Sequence, residues 1–242
     1  MITDGVARNR LNKTIRSYHS MTRPRTRAVK STATPYHHGD LRNALISEGR
    51  RLLDELGAHE LSLRHVARSV GVSIAAPSYH FESKEHLLAA IATEGFNELA
   101  ALRREIAASK VDPMIKVFRM MQCYVHFAER ERGLFDLMVG SRLPATAHED
   151  LVAASVASFE LFSSAVCDFA RTKGWAKKDL NLVLHAAWSV EHGLAALILA
   201  QRVPFPGHEV DVQQMINFSV STMLSGIAAG PDPRAAIAKV VT

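Results

Sequence analysis

Apolar residues recur at helical spacing along this chain from about residue 40 to residue 228, and no long segment alternates as a strand requires. Asp40 is expected to cap a first helix running to about Leu56, with Leu45, Leu52, Leu53 and Leu56 on one face and Gly57 closing it. In the stretch Leu61 to Leu88, Ser62 is an N-cap and Leu63, Val66, Ala67 and Val70 form a stripe at i, i+3, i+4 and i+7. Gly71 stops that helix. Ser73 is a second N-cap, predicting a very short helix through Tyr79 and His80. Ser83 then caps a long fourth helix, with Glu85 in its first turn, through Leu87, Leu88, Ile91, Phe96 and Leu99 to about Ala108.

Helical periodicity continues beyond Asp112. Met114 to Arg130 ends at Gly133, a short segment from Leu134 to Val139 stops at Gly140, and Pro144 lies in the loop that follows. Asp150 to Thr172 is closed by Gly174. Asp179 to Gln201, nearly all apolar, ends at the turn Pro204-Phe205-Pro206-Gly207, and Val210 to Ile227 precedes Gly230-Pro231. The fold class is therefore all-α: an N-terminal three-helix unit with a larger helical domain behind it. The predicted boundaries are an arm over 1–35, the small unit over 36–88, the larger domain over 89–230 and a tail over 231–242. Two short helices joined by a glycine turn make a helix-turn-helix, whose second helix lies in the DNA major groove.

Composition changes this picture little. The chain has 242 residues, 48% hydrophobic and 22% charged, as an ordinary globular protein does. No uninterrupted apolar run approaches the roughly 20 residues of a bilayer span; the nearest, Gly193 to Ala200, has eight and reads as core, so a soluble, cytoplasmic protein with no membrane partner is expected. Charge changes it more. Residues 1–35 hold Arg8, Arg10, Lys13, Arg16, Arg23, Arg25, Arg27 and Lys30 against Asp4, a net of +7, and the other 207 residues are left at −2. The pI near 9.4 belongs to this segment and says nothing about the folded part. Without an apolar h-region the segment is no secretory signal. It reads as a basic arm for phosphates, with a transit peptide or a natural start at Met21 or later as alternatives. Cys123 and Cys167, with no CxxC spacing, read as reduced buried thiols, with redox sensing as the other possibility.

Ile74, Ala75, Ala76 and Ser78 are the candidates for base contact, with Ser62 and Ser73 at the two helix starts. None gives the bidentate hydrogen bonds of Arg, Asn or Gln, so the short helix is expected to read thymine methyls and groove shape. A guanine bond falls to Arg64. Pro77 forfeits a backbone donor and predicts a tight or irregular start to the helix. Tyr79, His80 and Lys84 read as phosphate clamps, with core packing equally open for Tyr79 and expected for Phe81. His37 and His38 either touch a phosphate or face solvent.

Gly71-Val72-Ser73 followed by Tyr79-His80-Phe81-x-Ser83-Lys84-Glu85-x-Leu87-Leu88 resembles the TetR family of bacterial transcription regulators. Tyr36-His37-His38-Gly39-Asp40-Leu41-Arg42 is similar to the start of the same domain. Tyr124-Val125-x-Phe127-Ala128, Leu134-Phe135-x-Leu137-Met138 and Trp188-Ser189-x-x-His192-Gly193-Leu194 are similar to a subgroup with a Trp-His-Gly ligand-binding domain. The chain departs from the family at Ser78, where an aromatic is usual, and at Ile74, where a polar or basic residue is common. The resemblance implies a small-molecule pocket in the second domain and a dimer built from its last two helices.

The residues point the same way. Phe118, Met121, Tyr124, Val125, Met138, Phe159 and Phe162 are rich in aromatics and adaptable methionines, with ordinary core as the plainer reading. His185, Trp188 and His192 share one stripe, and their polar tips need partners, a ligand or one another. Leu180, Leu184, Leu194, Leu197 and Ile198 on one helix and Met215, Phe218 and Met223 on the next are the expected dimer contacts, since a helix apolar nearly all round is buried on both sides. No HExxH or HxxxH pair, phosphate loop or GxSxG elbow supports catalysis, and no metal or cofactor is expected. The expected function is a homodimeric repressor on a palindromic double-stranded operator, released by a small, largely apolar effector. The alternatives are a DNA-binding adaptor answering to a protein partner, and an enzyme.

Overall fold

The computed structural model describes residues 38–140, 143 and 148–231, so the basic arm, His37, Pro144 and nearly all of the C-terminal tail lie outside it. The described residues form eight α-helices: α1 (His38–Glu60), α2 (Leu63–Val70), α3 (Lys84–Ala108), α4 (Pro113–Arg130), α5 (Arg132–Val139), α6 (Glu149–Thr172), α7 (Leu180–Leu199) and α8 (Val212–Ala228), with 3-10 turns at Ala76–Tyr79 and Lys177–Asp179. No strand occurs among them; Phe205 and His208 make one isolated bridge. The all-α expectation holds.

The caps explain most helix boundaries. Ser62 and Ser83 accept hydrogen bonds from the His65 and His86 amides at 3.2 Å. Asp112 caps α4 from the Met114 amide at 2.8 Å, with Pro113 at the position that needs no donor. Asp211 caps α8 from the Gln214 amide at 2.7 Å. Asp40 is not a cap, because α1 begins two residues earlier at His38. Gly57, at φ 69 and ψ 163, breaks α1 where closure was expected, and helical backbone resumes after it to Glu60.

Two apolar clusters hold the chain. The first contains Leu45, Leu53, Val66, Phe81, Leu87 and Ile91 and continues without a break into Leu99, Phe127, Leu134, Phe135 and Leu151. The small N-terminal unit therefore shares its core with α4 and α5. Small residues permit this contact: a Cβ on Gly133 would lie 3.0 Å from the Leu53 backbone, and one on Gly95 only 2.5 Å from Met138 Sδ. Around it Arg50 pairs with Glu98 at 2.8 Å and Glu131 at 2.7 Å, and Arg130 pairs with both carboxylates. The second cluster, with Met121, Phe162, Val166, Phe169, Leu184, Ile216 and Leu224, joins α4, α6, α7 and α8.

Glu149–Thr172 and Lys177–Leu199 are apolar enough, by length and composition alone, to pass for membrane spans. Uninterrupted runs do not reveal this, because Ser, His and Glu are scattered through both. Only 28% and 39% of their most apolar windows are buried within one chain, so their apolar surface exceeds what its own core covers.

Candidate nucleic-acid interface and buried polar cluster

Gly71 makes the turn of the helix-turn-helix. At φ 81 its amide donates to the Ala67 and Arg68 carbonyls, and the Val72 amide closes back onto Ala67 at 3.0 Å. The next segment is a 3-10 turn, as irregular as Pro77 predicts, but Ser73 is not its cap. The Ala76 amide donates to the Ser73 carbonyl at 3.0 Å, Ser78 to Ala75 at 3.2 Å and His80 to Pro77 at 2.9 Å, all at 3-10 spacing. The Ser73 side chain caps nothing; Ala75 takes that position. Pro77 supplies the reason: it has no amide to continue an α-helical ladder onto Ser73, and its ring is buried.

This tight turn thrusts its surface outward. Ser73, Ala75 and Ser78 are exposed, Ile74 is 50% exposed and Tyr79 86%, while Ala76 and His80 are half-buried. Core packing of Tyr79 is thereby excluded, and Phe81 is buried as expected. Arg64 is exposed on the first turn of α2. Ser62 and Lys84 are partly engaged: Ser62 caps α2, and Lys84 Nζ donates to the His59 carbonyl at 2.6 Å, holding the end of α1 with one of its three protons. His38 is the first residue of α1, and its side chain lies outside the description.

The predicted effector residues separate into groups. Met121, Val125 and Phe162 are fully buried, and Phe118 is partly buried against them. Met138 belongs elsewhere, in the first cluster over Gly95. His185 is exposed, its Nδ1 2.7 Å from the Asn181 carbonyl oxygen of its own helix. A shared stripe is too wide to put it inside with His192. Tyr124, Phe159, Phe162, Trp188 and His192 do assemble: Tyr124 Oη lies 2.9 Å from His192 Nδ1, and Trp188 stands 5.9 Å from both the Phe159 and His192 rings.

At the centre of this group are three residues the sequence reading missed. Arg103 on α3 donates to Glu191 on α7 at 2.9 Å and to the Ser158 carbonyl on α6 at 3.1 Å, and its guanidinium stacks on Phe162 and Tyr124 at 5.0 and 5.3 Å. All three residues are buried, and Arg103 Nε, Ser158 Oγ and Glu191 Oε2 have no hydrogen-bond partner among the described residues. Burial pushes the Glu191 carboxyl up to about 8 against the opposing pull of Arg103, and lowers His192. A signal was present: Arg103 follows Leu99, and Glu191 follows Ala187 and precedes Leu194, so both are charges on apolar stripes. An open groove of about 470 Å3 lies apart from them, lined by residues such as Arg104, Lys116, Glu160 and Asp168, and holds none of the predicted effector contacts.

Four of the expected dimer contacts require correction. Leu180, Leu184, Leu194 and Ile198 are buried in their own chain, where α7 packs onto the second cluster. Met215 and Met223 are partly buried against the same cluster. Leu197 and Phe218 face outward, at 45% and 73% exposure, together with Leu182 and Trp188.

An all-α frame carrying a glycine-turned helix pair at one end is that of a helix-turn-helix DNA-binding transcription regulator. Residues 45–91 match the model of bacterial regulatory proteins of the tetR family, and residues 117–223 match that of the tetracyclin repressor-like C-terminal domain. The chain belongs to the TetR family. Among solved structures it is similar to a protein of unknown function from Rhodococcus sp. RHA1, with 30% identity, TM-score 0.70, and coverage of 81% of this chain and 100% of the other. It also resembles the TetR family regulator PfmR from Thermus thermophilus, with 20% identity, TM-score 0.57, and coverage of 75% and 97%. A TetR variant from Acinetobacter baumannii in complex with minocycline shares 18% identity, TM-score 0.53, and coverage of 79% and 96%. No curated protein matches the chain.

Proposed function

We propose that this protein is a homodimeric, cytoplasmic repressor that occupies a two-fold symmetric operator and leaves it on binding a small, largely apolar effector. The observation that carries the reading is the exposed turn. The side chains of Ile74, Ala75, Ser78 and Tyr79 are exposed on a turn held by capped helices, the arrangement expected of a groove-reading surface. The head is assigned to 36–88 and effector binding and dimerisation to 89–230, with Trp188, His192 and Gly193 marking a Trp-His-Gly subgroup. Exposed Leu182, Leu197 and Phe218 favour a partner copy across α7 and α8. Members of this family are regulators, and the chain is read as one and not as an enzyme.

Effector binding within α4, α6 and α7 is supported by the aromatic group around Arg103 and by the minocycline complex of the distant relative. A second reading, a regulator controlled by a protein partner with no ligand, is favoured by the closely packed second cluster. One experiment decides between them and tests the first. Genomic DNA captured by the full-length protein gives the operator, and its affinity is then measured across a library of apolar and aromatic compounds. A constant affinity throughout, with compounds bound, would sink the ligand-released repressor.

A further inference from the structure

The cluster of Arg103, Ser158 and Glu191 makes a specific chemical demand. Folded proteins leave few buried polar atoms without a partner, yet here three such atoms belong to one bonded group. Arg103 Nε offers a proton, Glu191 Oε2 accepts one when its carboxyl is ionised, and Ser158 Oγ does either. The group that completes them must therefore both accept and donate. A carboxylate only accepts and would face Glu191; an ammonium only donates and would face Arg103. Above about pH 8, where the Glu191 carboxyl is ionised, the Arg103–Glu191 pair balances its own charge, so a neutral group adds no uncompensated charge to the interior.

Resting on the reading of the chain as a ligand-released regulator, we propose that these three residues are the polar end of its effector site. They take a small neutral compound through a hydroxyl or carboxamide group, while its aromatic or apolar body lies among Tyr124, Phe159 and Trp188. These rings supply the matching walls. Tyr124 and Phe162 stack on the guanidinium, Phe159 stands 6.3 Å from Phe162, and Trp188, 5.9 Å from Phe159, is 40% exposed. Displacement of Trp188 and Phe159 opens the way in from solvent. Arg103 also lies on α3, whose first turn carries Lys84 of the head, so a ligand drawn to its guanidinium acts directly on the helix that enters the DNA-reading unit.

The test uses the full-length protein above about pH 8, where Glu191 is ionised, and four matched probes, benzyl alcohol, benzamide, benzoate and ethylbenzene, with binding followed by ligand-observed NMR. Benzyl alcohol and benzamide are expected to bind more tightly than ethylbenzene and benzoate. Ser158→Ala, which removes only a hydroxyl, weakens the two polar neutral probes about fivefold, the value of one hydrogen bond, and leaves ethylbenzene unchanged. The double variant R103M/E191L, with its fold verified by circular dichroism, loses the preference altogether. Equal binding of all four probes, binding of none, or indifference to Ser158→Ala overturns the proposal and assigns the three atoms to bound water. DNA affinity of the unmodified protein is measured alongside. If it persists, the failure belongs to this site alone; if operator binding is also absent, the regulator reading fails with it.

Discussion

Arg103 and Glu191 meet at 2.9 Å although 88 residues separate them in the chain, and both are shielded from solvent. The pair ties α3, which begins in the DNA-reading head, to α7, whose outer face carries exposed Leu182 and Leu197.

The two halves of this pair are not equivalent. Arginine cannot shed its proton, whereas a buried carboxyl can take one up. Glu191→Leu should therefore cost about 3–5 kcal/mol by leaving an uncompensated guanidinium, and Arg103→Met should cost less. The double variant R103M/E191L should recover most of the loss. Denaturant unfolding of the four proteins above about pH 8, where the Glu191 carboxyl is ionised, checks this cycle; equal costs for the two single variants would contradict it.

Glu191 also sets a pH dependence. Folding raises its carboxyl to about 8, so the folded chain keeps a proton that the unfolded chain has already lost. Its contribution to stability is fully present below the ordinary carboxyl value of 4.5 and is lost as pH rises to about 8. Unfolding measured at intervals over that range should show stability falling with pH, and Glu191→Gln should flatten the slope.

Gly133 should tolerate no side chain. An added Cβ would lie 3.0 Å from the Leu53 backbone and 2.8 Å from Asp54 Oδ1, which accepts a hydrogen bond from the Gly133 amide. Backbone cannot step aside as a side-chain tip can. Gly133→Ala is expected to destabilise by about 1–3 kcal/mol, read as a lowered denaturant midpoint.

Tyr79 should matter to DNA and not to folding. At 86% exposure its removal leaves no void, so Tyr79→Ala should change stability by less than about 0.5 kcal/mol. Operator affinity, read by fluorescence anisotropy, should fall. Arg64→Ala should cost about 1–3 kcal/mol at one base pair; a uniform loss across all sequences would make Arg64 a phosphate contact.

Phe218, 73% exposed, tests the dimer. Phe218→Glu places a charge where the proposed partner packs, and should shift sedimentation toward the monomer while leaving helical circular dichroism intact. A buried Leu184→Glu would unfold the chain instead, because that side chain is inside its own core.

Local chemistry determined much of this protein. Ser62 and Ser83 cap, Gly71 turns and the apolar residues repeat every third or fourth position within a few residues of one another, so the sequence alone predicts these helices and the DNA-reading motif. Pro77 even announces an irregular second helix, although only the structure reveals a 3-10 turn that begins at Ala76 and ignores the Ser73 side chain. Tertiary packing decided the rest. A helical stripe cannot say which leucines of α7 face their own core, nor that His185 points outward while His192 meets Tyr124. Arg103, Ser158 and Glu191 lie on three helices far apart in sequence, and their contact exists only because α3, α6 and α7 pack side by side. Caps and turns are fixed by neighbours in the chain; buried pairs are fixed by how helices cross.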